Sequence, residues 1–456
     1  MSGQPPISAP ASDLQRRVFD LVRQDRAEEA LAVADAAIAG NARDVDAVLT
    51  RGDVLIQLRR FEDAYEAFRD ARGIDPGNVR ALAREGAILL RLQRVEAALA
   101  VFDEAVKLAP QAAGTWYNRG LTYGHLNRLG EAIADYDKAI EIDPGYGVAH
   151  VNRAMALLLL GRYREGLAEL EWRFMVEPGS HELREYRQPR WRKGNAIAGK
   201  RVLLYAEQGL GDVIQFARFV PRVAAQAAHV TVEVQPALVR LLKSLPCEVI
   251  PTGAPSAQFN LHSPLASLGT LLDVQLETIP AAVPYVSTAA EHVARWRTRL
   301  SALGGKPKVG IAWSGNPQHT NDYNRSIPFA EMAALLDVPD MTFVNLQKDL
   351  RENDRAAFER AGLFDPTRDL GDLADTAALI ETLDLVITCD SALVHLAGAL
   401  GKPTWALLPF APDWRWMLER ADSPWYPSVQ LFRQGAIGDW RGVVSEVQRE
   451  LPRLQH

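Results

Sequence analysis

A chain of 456 residues, 48% hydrophobic and 24% charged, is too long for one compact core and reads as two or three globular domains. A formal net charge of −6 leaves no basic excess to displace counterions from phosphates, which argues against a general nucleic-acid binder. The two cysteines, Cys247 and Cys389, lie far apart and in no CxxC or Cys/His spacing, so neither a disulfide framework nor a structural zinc site is indicated and a reducing compartment fits.

In chain order, residues 1–10 carry Pro and Ser without the basic start and apolar core of a signal peptide, and read as a flexible tail. No apolar stretch reaches transmembrane length; AMALLLLG at 154–161 is the size of a helix core. A cytoplasmic location is expected.

Residues 11–180 hold the strongest signal. Pro76, Pro110, Pro144 and Pro178 recur every 34 residues. Ahead of Pro144 stand Trp116, Gly120, Tyr123, Ala132, Tyr136 and Ala139. The preceding unit repeats this with Leu82, Gly86, Leu89, Ala98, Phe102 and Ala105, and the one before with Val48, Gly52, Leu55, Ala64, Phe68 and Ala71. The pattern resembles the tetratricopeptide repeat. A small residue in the first helix lets the second approach, an aromatic fills the gap, and proline ends the second helix. A degenerate unit at about 11–44 keeps Leu14, Leu21 and Ala30, and a fifth at 147–180 keeps Ala154, Leu157, Gly166 and Pro178 before departing with GLAELEWRF. About five repeats make a curved all-α solenoid whose concave face is expected to hold a protein or peptide; the alternative is a spacer or oligomerisation arm.

Residues 181–200 are polar, basic and broken by Pro and Gly, as a linker is. From 201 the grammar changes to strand, turn, helix, and restarts at KVGIAWSG, giving two α/β domains, 201–303 and 304–456. Ligands of such sheets bind outside the carboxyl ends of the strands, where every unusual loop of this half falls.

The motifs EQGLGDVIQF, IAWSGNP, NDYNRSIP, LQKD, ADTAALIETLDLVITCDS, HLAGALGKP, PDWRWM, DSPWYPS and LFRQ, taken with the repeats, resemble bacterial tetratricopeptide-repeat glycosyltransferases with a heptosyltransferase-like catalytic half. The resemblance implies a GT-B fold: two Rossmann-like domains facing a cleft, the first on the acceptor side and the second binding a nucleotide-sugar. It implies a transferase acting on a protein held by the repeats. Some members of the group resemble flagellin glycosyltransferases, so flagellin is one implied acceptor. A surface-glycan, lipopolysaccharide-type transferase and a non-catalytic repeat scaffold are the alternatives.

QGLGDVI lacks the third glycine of a dinucleotide fingerprint, having Ile214 there. Asp212 falls where a helix N-cap is expected. Gly209 and Gly211 clear the approach to it, and the resemblance makes Asp212 the catalytic base that deprotonates the acceptor, with inversion at the sugar. The Asp-x-Asp triplets at 44–46 and 135–137 lie inside repeats, so no metal or other cofactor is expected. The departing nucleotide is instead assigned to Ser314, Gly315 and Asn316, to Arg325, and to Gln347 at a strand end. Asp390, Ser391 and His395 complete this donor set. Ser391 opens a helix, and His395 is placed with it on one anion-facing side. A hydrolytic Ser/His/Asp triad lacks a nucleophile elbow here. Trp414, Trp416, Trp425 and Tyr426 are open between sugar pocket and core, and Cys389 reads as a buried small residue.

Overall fold

The computed structural model of the chain describes residues 12–176, 183–255 and 258–455. The tail at 1–10 and Pro178 lie outside the described residues. The chain divides between Ala156 and Leu157 into two compact units.

The first unit is a stack of helix pairs: Asp13–Arg23 with Ala27–Gly40, Val45–Gln57 with Phe61–Ile74, Val79–Arg91 with Val95–Leu108, and Ala113–His125 with Leu129–Ile142. Its packing follows the periodic residues. At Gly120 a Cβ would stand 2.9 Å from the Tyr136 ring, and Gly52 and Gly86 are overlain in the same way by Phe68 and Phe102. Each glycine therefore sets how closely its pair of helices can approach. Asp44 and Asn78, 34 residues apart, cap their helices by accepting from the backbone N–H of Ala47 and Ala81, both at 3.1 Å. Each pair turns through a left-handed residue at the same period, Asp25, Arg59, Gln93 and Asn127, with φ between 55° and 59°. Of these, Arg59 and Gln93 carry side chains that visit this region rarely.

In the second unit the nine described strands pair with one another in parallel. One sheet comprises β1 (Arg201–Tyr205), β2 (His229–Val234), β3 (Glu248–Pro251) and β4 (Leu261–Pro264), in the order β3-β2-β1-β4. The other comprises β5 (Lys308–Ala312), β6 (Thr342–Asn345), β7 (Leu385–Cys389), β8 (Thr404–Leu408) and β9 (Val429–Arg433), in the order β6-β5-β7-β8-β9. Apart from the edge strand β3, their apolar residues are largely buried, as helix-covered parallel strands require. Strand order reverses between β1 and β4 and between β5 and β7, so each sheet opens a crevice at the carboxyl ends there. Two strands escaped the sequence reading: β4, within a stretch read as irregular, and β9, which starts just before LFRQ.

The departure from the repeat pattern at GLAELEWRF has a structural counterpart. The helix Tyr163–Glu169 is followed by a 3₁₀ turn, Leu170–Met175, and both belong to the second unit. Thr270 donates to the Leu167 carbonyl at 2.7 Å, and Trp425 donates through Nε1 to the Tyr163 hydroxyl at 3.1 Å. Arg173, with its side chain only 1% exposed, donates to Glu207 and to Ser267, both at 2.9 Å. The altered sequence thus seats this turn on the α/β unit. Part of the segment expected as a linker is also fixed there: Trp191 is buried and its N–H donates to the His262 carbonyl at 2.8 Å.

Candidate functional site

The loop after β1 runs into the helix Leu210–Ala217. The N-cap is Gly209, and Asp212 is the third helical residue, which corrects its expected placement as the cap itself. From there its Oδ2 reaches back to accept the Gly209 N–H at 3.1 Å, the reciprocal half of a capping box. Behind the loop, Glu207 is buried against Arg173, and burial raises its carboxyl despite that cation.

Gly211 lets this helix meet Ala392–Ala399, the helix following β7. A Cβ on Gly211 would lie 2.8 Å from Cδ2 of His395 and 3.4 Å from the Ala392 Cα. The two N-terminal ends are thereby brought together, joining the loops that leave β1 and β7.

At the crevice between β5 and β7, Gln347 is a brace. Its Oε1 accepts the N–H groups of Trp313 and Ser314 at 3.1 and 2.9 Å, and its amide donates to the Asp349 carbonyl at 3.2 Å. Ser314 is 6% exposed and its hydroxyl has no hydrogen-bond partner among the described residues. Gly315 donates through N–H to Ser326 Oγ at 3.0 Å. The Arg325 guanidinium covers Gly315 so closely that a Cβ would fall 2.7 Å from Nη2, so a side chain there would push the guanidinium aside. Arg325 Nη1 donates to the Asp390 carbonyl at 3.2 Å, linking the β5 and β7 loops. The Asn316 side chain accepts the Gln318 N–H at 2.9 Å, on an exposed turn.

Ser391 is the N-cap of its helix, accepting the Leu393 N–H at 3.3 Å. His395 is placed differently from the expectation of a shared anion-facing side. It is buried, shares a hydrogen bond between Nδ1 and the Tyr426 hydroxyl at 2.9 Å, and stacks on Trp416 with ring centroids 5.6 Å apart. Burial, then Arg415, Arg218 and Arg325, push its pKa well below the usual value, so the ring is neutral and offers an anion no charge. Trp414, Trp416, Trp425 and Tyr426 are likewise buried, and Trp425 packs among Tyr163, Phe216 and Phe219, as core.

The residue that sequence reasoning missed is Arg415. It sits in the short 3₁₀ turn Trp414–Trp416 between β8 and β9 and is nearly buried. Its Nε donates to Gln215, its Nη1 to Asp413 at 2.8 Å, and its Nη2 to Asp212. Asp390 faces the same group: burial and then Asp413 raise its pKa to about 6, against the pull of Arg325 and Arg415. Three carboxylates and two guanidinium groups therefore converge where the β1, β7 and β8 connections meet. The signal was present in PDWRWM, where a lone arginine stands between two tryptophans. Among the described residues, no group of three or more His, Cys, Asp or Glu is disposed to hold a metal.

Comparison with known proteins divides the chain in the same way. Tetratricopeptide repeat models match residues 20–79, 55–115, 113–146 and 135–168. Residues 370–431 match the model of glycosyltransferase family 9 (heptosyltransferase). The chain carries tetratricopeptide repeats and a glycosyltransferase family 9 domain. That second match spans Asp390, Ser391, His395 and Arg415 and supports sugar transfer. Protein FlbA of Caulobacter vibrioides is 30% identical over 287 residues, 58% of this chain and 48% of FlbA, so the chain spans about half that relative's length. Solved structures similar to part of the chain include MamA of Desulfovibrio magneticus RS-1, 24% identical over 35% of this chain and 88% of its own, with a TM-score of 0.30. A thermophilic tetratricopeptide-repeat protein of Thermus thermophilus is 22% identical over 34% of this chain and 84% of its own, with a TM-score of 0.31. Among the described residues no helix is long and apolar enough to cross a membrane.

Proposed function

We propose that the chain is an inverting, metal-independent glycosyltransferase with a GT-B arrangement of its two sheets, moving a sugar from a nucleotide-sugar to a hydroxyl of a protein recognised by the repeats. The observation that carries this reading is the pairing of Asp212, in the helix that follows β1, with Arg415 from the loop after β8 of the second sheet, a loop within the family 9 match.

In this reading Asp212 accepts the proton of the acceptor hydroxyl as its oxygen bonds to the anomeric carbon. The bond from that carbon to the phosphate oxygen breaks on the opposite face, and its electron pair leaves with the nucleotide. The growing negative charge is met by the Arg325 and Arg415 guanidinium groups and by the Ser314–Asn316 turn. Gln347 and Ser391 hold the loops in shape, while His395 packs the two N-terminal helix ends together. The repeats present the acceptor, with flagellin as one acceptor class and a cytoplasmic setting.

Mass spectrometry of proteins from cells with and without the chain tests the reading. A protein losing a hexose- or nonulosonate-sized increment in its absence is the expected result. Unchanged proteins together with a truncated surface glycan would oppose it. Turnover is expected to survive excess chelator, and loss of activity restored by Mn²⁺ or Mg²⁺ would overturn metal independence.

A further inference from the structure

Each of the three nitrogens of the Arg415 guanidinium donates to a side chain. Nε is held by Gln215 and Nη1 by Asp413, while Nη2 is held by Asp212. Asp212 is equally committed, with Oδ2 on the Gly209 N–H and Oδ1 on Arg415. While it is paired in this way, Oδ1 of Asp212 faces Arg415 rather than an acceptor hydroxyl. The same bond occupies the Nη2 side of the fork that a phosphate would use. As arranged, each residue blocks the role that the other would have in transfer.

The partners of Arg415 are not equivalent. Asp413, 32% exposed, is anchored in the same turn, where its Oδ1 also accepts the Arg415 backbone N–H at 3.1 Å; Gln215 is wholly buried, whereas Asp212 is 27% exposed and reaches Arg415 from a different loop. Asp212 is thus the partner that an incoming group can displace. Phosphate oxygens match a guanidinium fork as well as a carboxylate does and carry more charge. Nearby stand the buried Ser314 hydroxyl, without a hydrogen-bond partner among the described residues, and the Arg325 guanidinium, whose Nε makes no hydrogen bond there and lies 4.0 Å from the Asp322 carboxylate.

We propose that Arg415 is a nucleotide-phosphate-binding residue and that Asp212 is its counterion until the donor arrives. The donor phosphate replaces Asp212 on Nη2, and the released carboxylate is free to face the acceptor hydroxyl only once the sugar to be transferred is in place. The exchange is non-covalent and moves no proton. It rests on the transferase reading above and adds that the donor binds before the acceptor is deprotonated. Competition by Asp212 also lowers apparent affinity for the nucleotide by the fraction of molecules in which Arg415 is occupied.

Calorimetric titration of the full chain with ADP, UDP, GDP, CDP and CMP tests this. For whichever nucleotide binds, Asp212→Asn is expected to bind it about tenfold tighter, a coupling of ordinary size. Arg415→Gln is expected to bind it about tenfold weaker or worse, with Arg415→Lys in between, because a single ammonium lacks the fork. Should the Arg415 variants fail to fold, Asp212→Asn alone decides the matter. Binding by the wild type with no gain in Asp212→Asn overturns the exchange and leaves the donor site standing. No binding of any nucleotide to wild type or Asp212→Asn overturns the exchange and the donor-site reading together.

Discussion

Gly211 and His395 touch across the two sheets of the second unit, with room for a hydrogen on Gly211 and for nothing larger. The His395 ring is stacked on Trp416 and hydrogen-bonded to Tyr426, so it has nowhere to retreat. Gly211→Ala should therefore overpack the contact and cost about 1–3 kcal/mol. Thermal melting of wild type and variant checks this, and an unchanged midpoint would show that the two helix ends move apart freely.

The same histidine gives a pH dependence with a definite sign. Its pKa is depressed in the folded chain, so the unfolded chain binds the extra proton. Its contribution to stability is present above about pH 6.5 and is lost as the pH falls below it. Asp390 acts oppositely: its pKa is raised to about 6, so its contribution is full below the usual carboxylate range and is lost as pH rises through 6. Urea denaturation of wild type and His395→Gln at pH 7.5 and 5.5 separates the two, because the Asp390 contribution largely cancels in the comparison. The variant should lose less stability between these pH values than the wild type does.

Where the repeats can be cut follows from Arg173 and Tyr163. A chain beginning at 157 keeps the 3₁₀ turn that neutralises Glu207 and the hydroxyl that accepts from Trp425. One beginning at 179 leaves Glu207 buried without its cation, a loss of about 3–5 kcal/mol. The longer piece should melt well above the shorter one. If the repeats select the acceptor, it should also bind nucleotide yet fail to modify the protein. Equal modification by the 157–456 piece would reduce the repeats to a spacer.

In the repeats, Gly86→Ala drives a methyl into the Phe102 ring. The expected loss is about 1–3 kcal/mol, partly recovered when Phe102→Leu is added, since residues in contact do not behave additively. Purely additive losses would mean that the ring is not what limits the approach.

These residues also show what could be read before the structure. Gly52, Gly86 and Gly120 with Phe68, Phe102 and Tyr136 recur at a fixed period, so local pattern and packing agree and the helix pairs were legible. Strand, glycine loop and helix likewise gave β1, β5 and β7 and the loops that end them. β4 was hidden because LHSP is four residues long and ends in proline. The Arg415 pairing with Asp212 spans 203 residues, and no local period records which side chains meet at that distance. His395 was misplaced for a related reason: helical spacing gives its face, while Gly211, Trp416 and Tyr426 decide that this face is packed rather than open. Arg173 lay in a segment whose loss of the repeat pattern was visible but whose new partner was not.

In the proposed mechanism Asp212 removes a proton. Asp212→Asn retains a side-chain oxygen able to accept the Gly209 N–H and nearly the same shape, so the helix start should persist. Single-turnover transfer to the acceptor, measured with saturating donor, should nevertheless fall by roughly a hundredfold or more, while the melting temperature stays within a few degrees and nucleotide binding is kept. Near-normal turnover in Asp212→Asn, with a lowered melting temperature in Asp212→Ala, would exclude the carboxylate as the base and leave it as a helix brace.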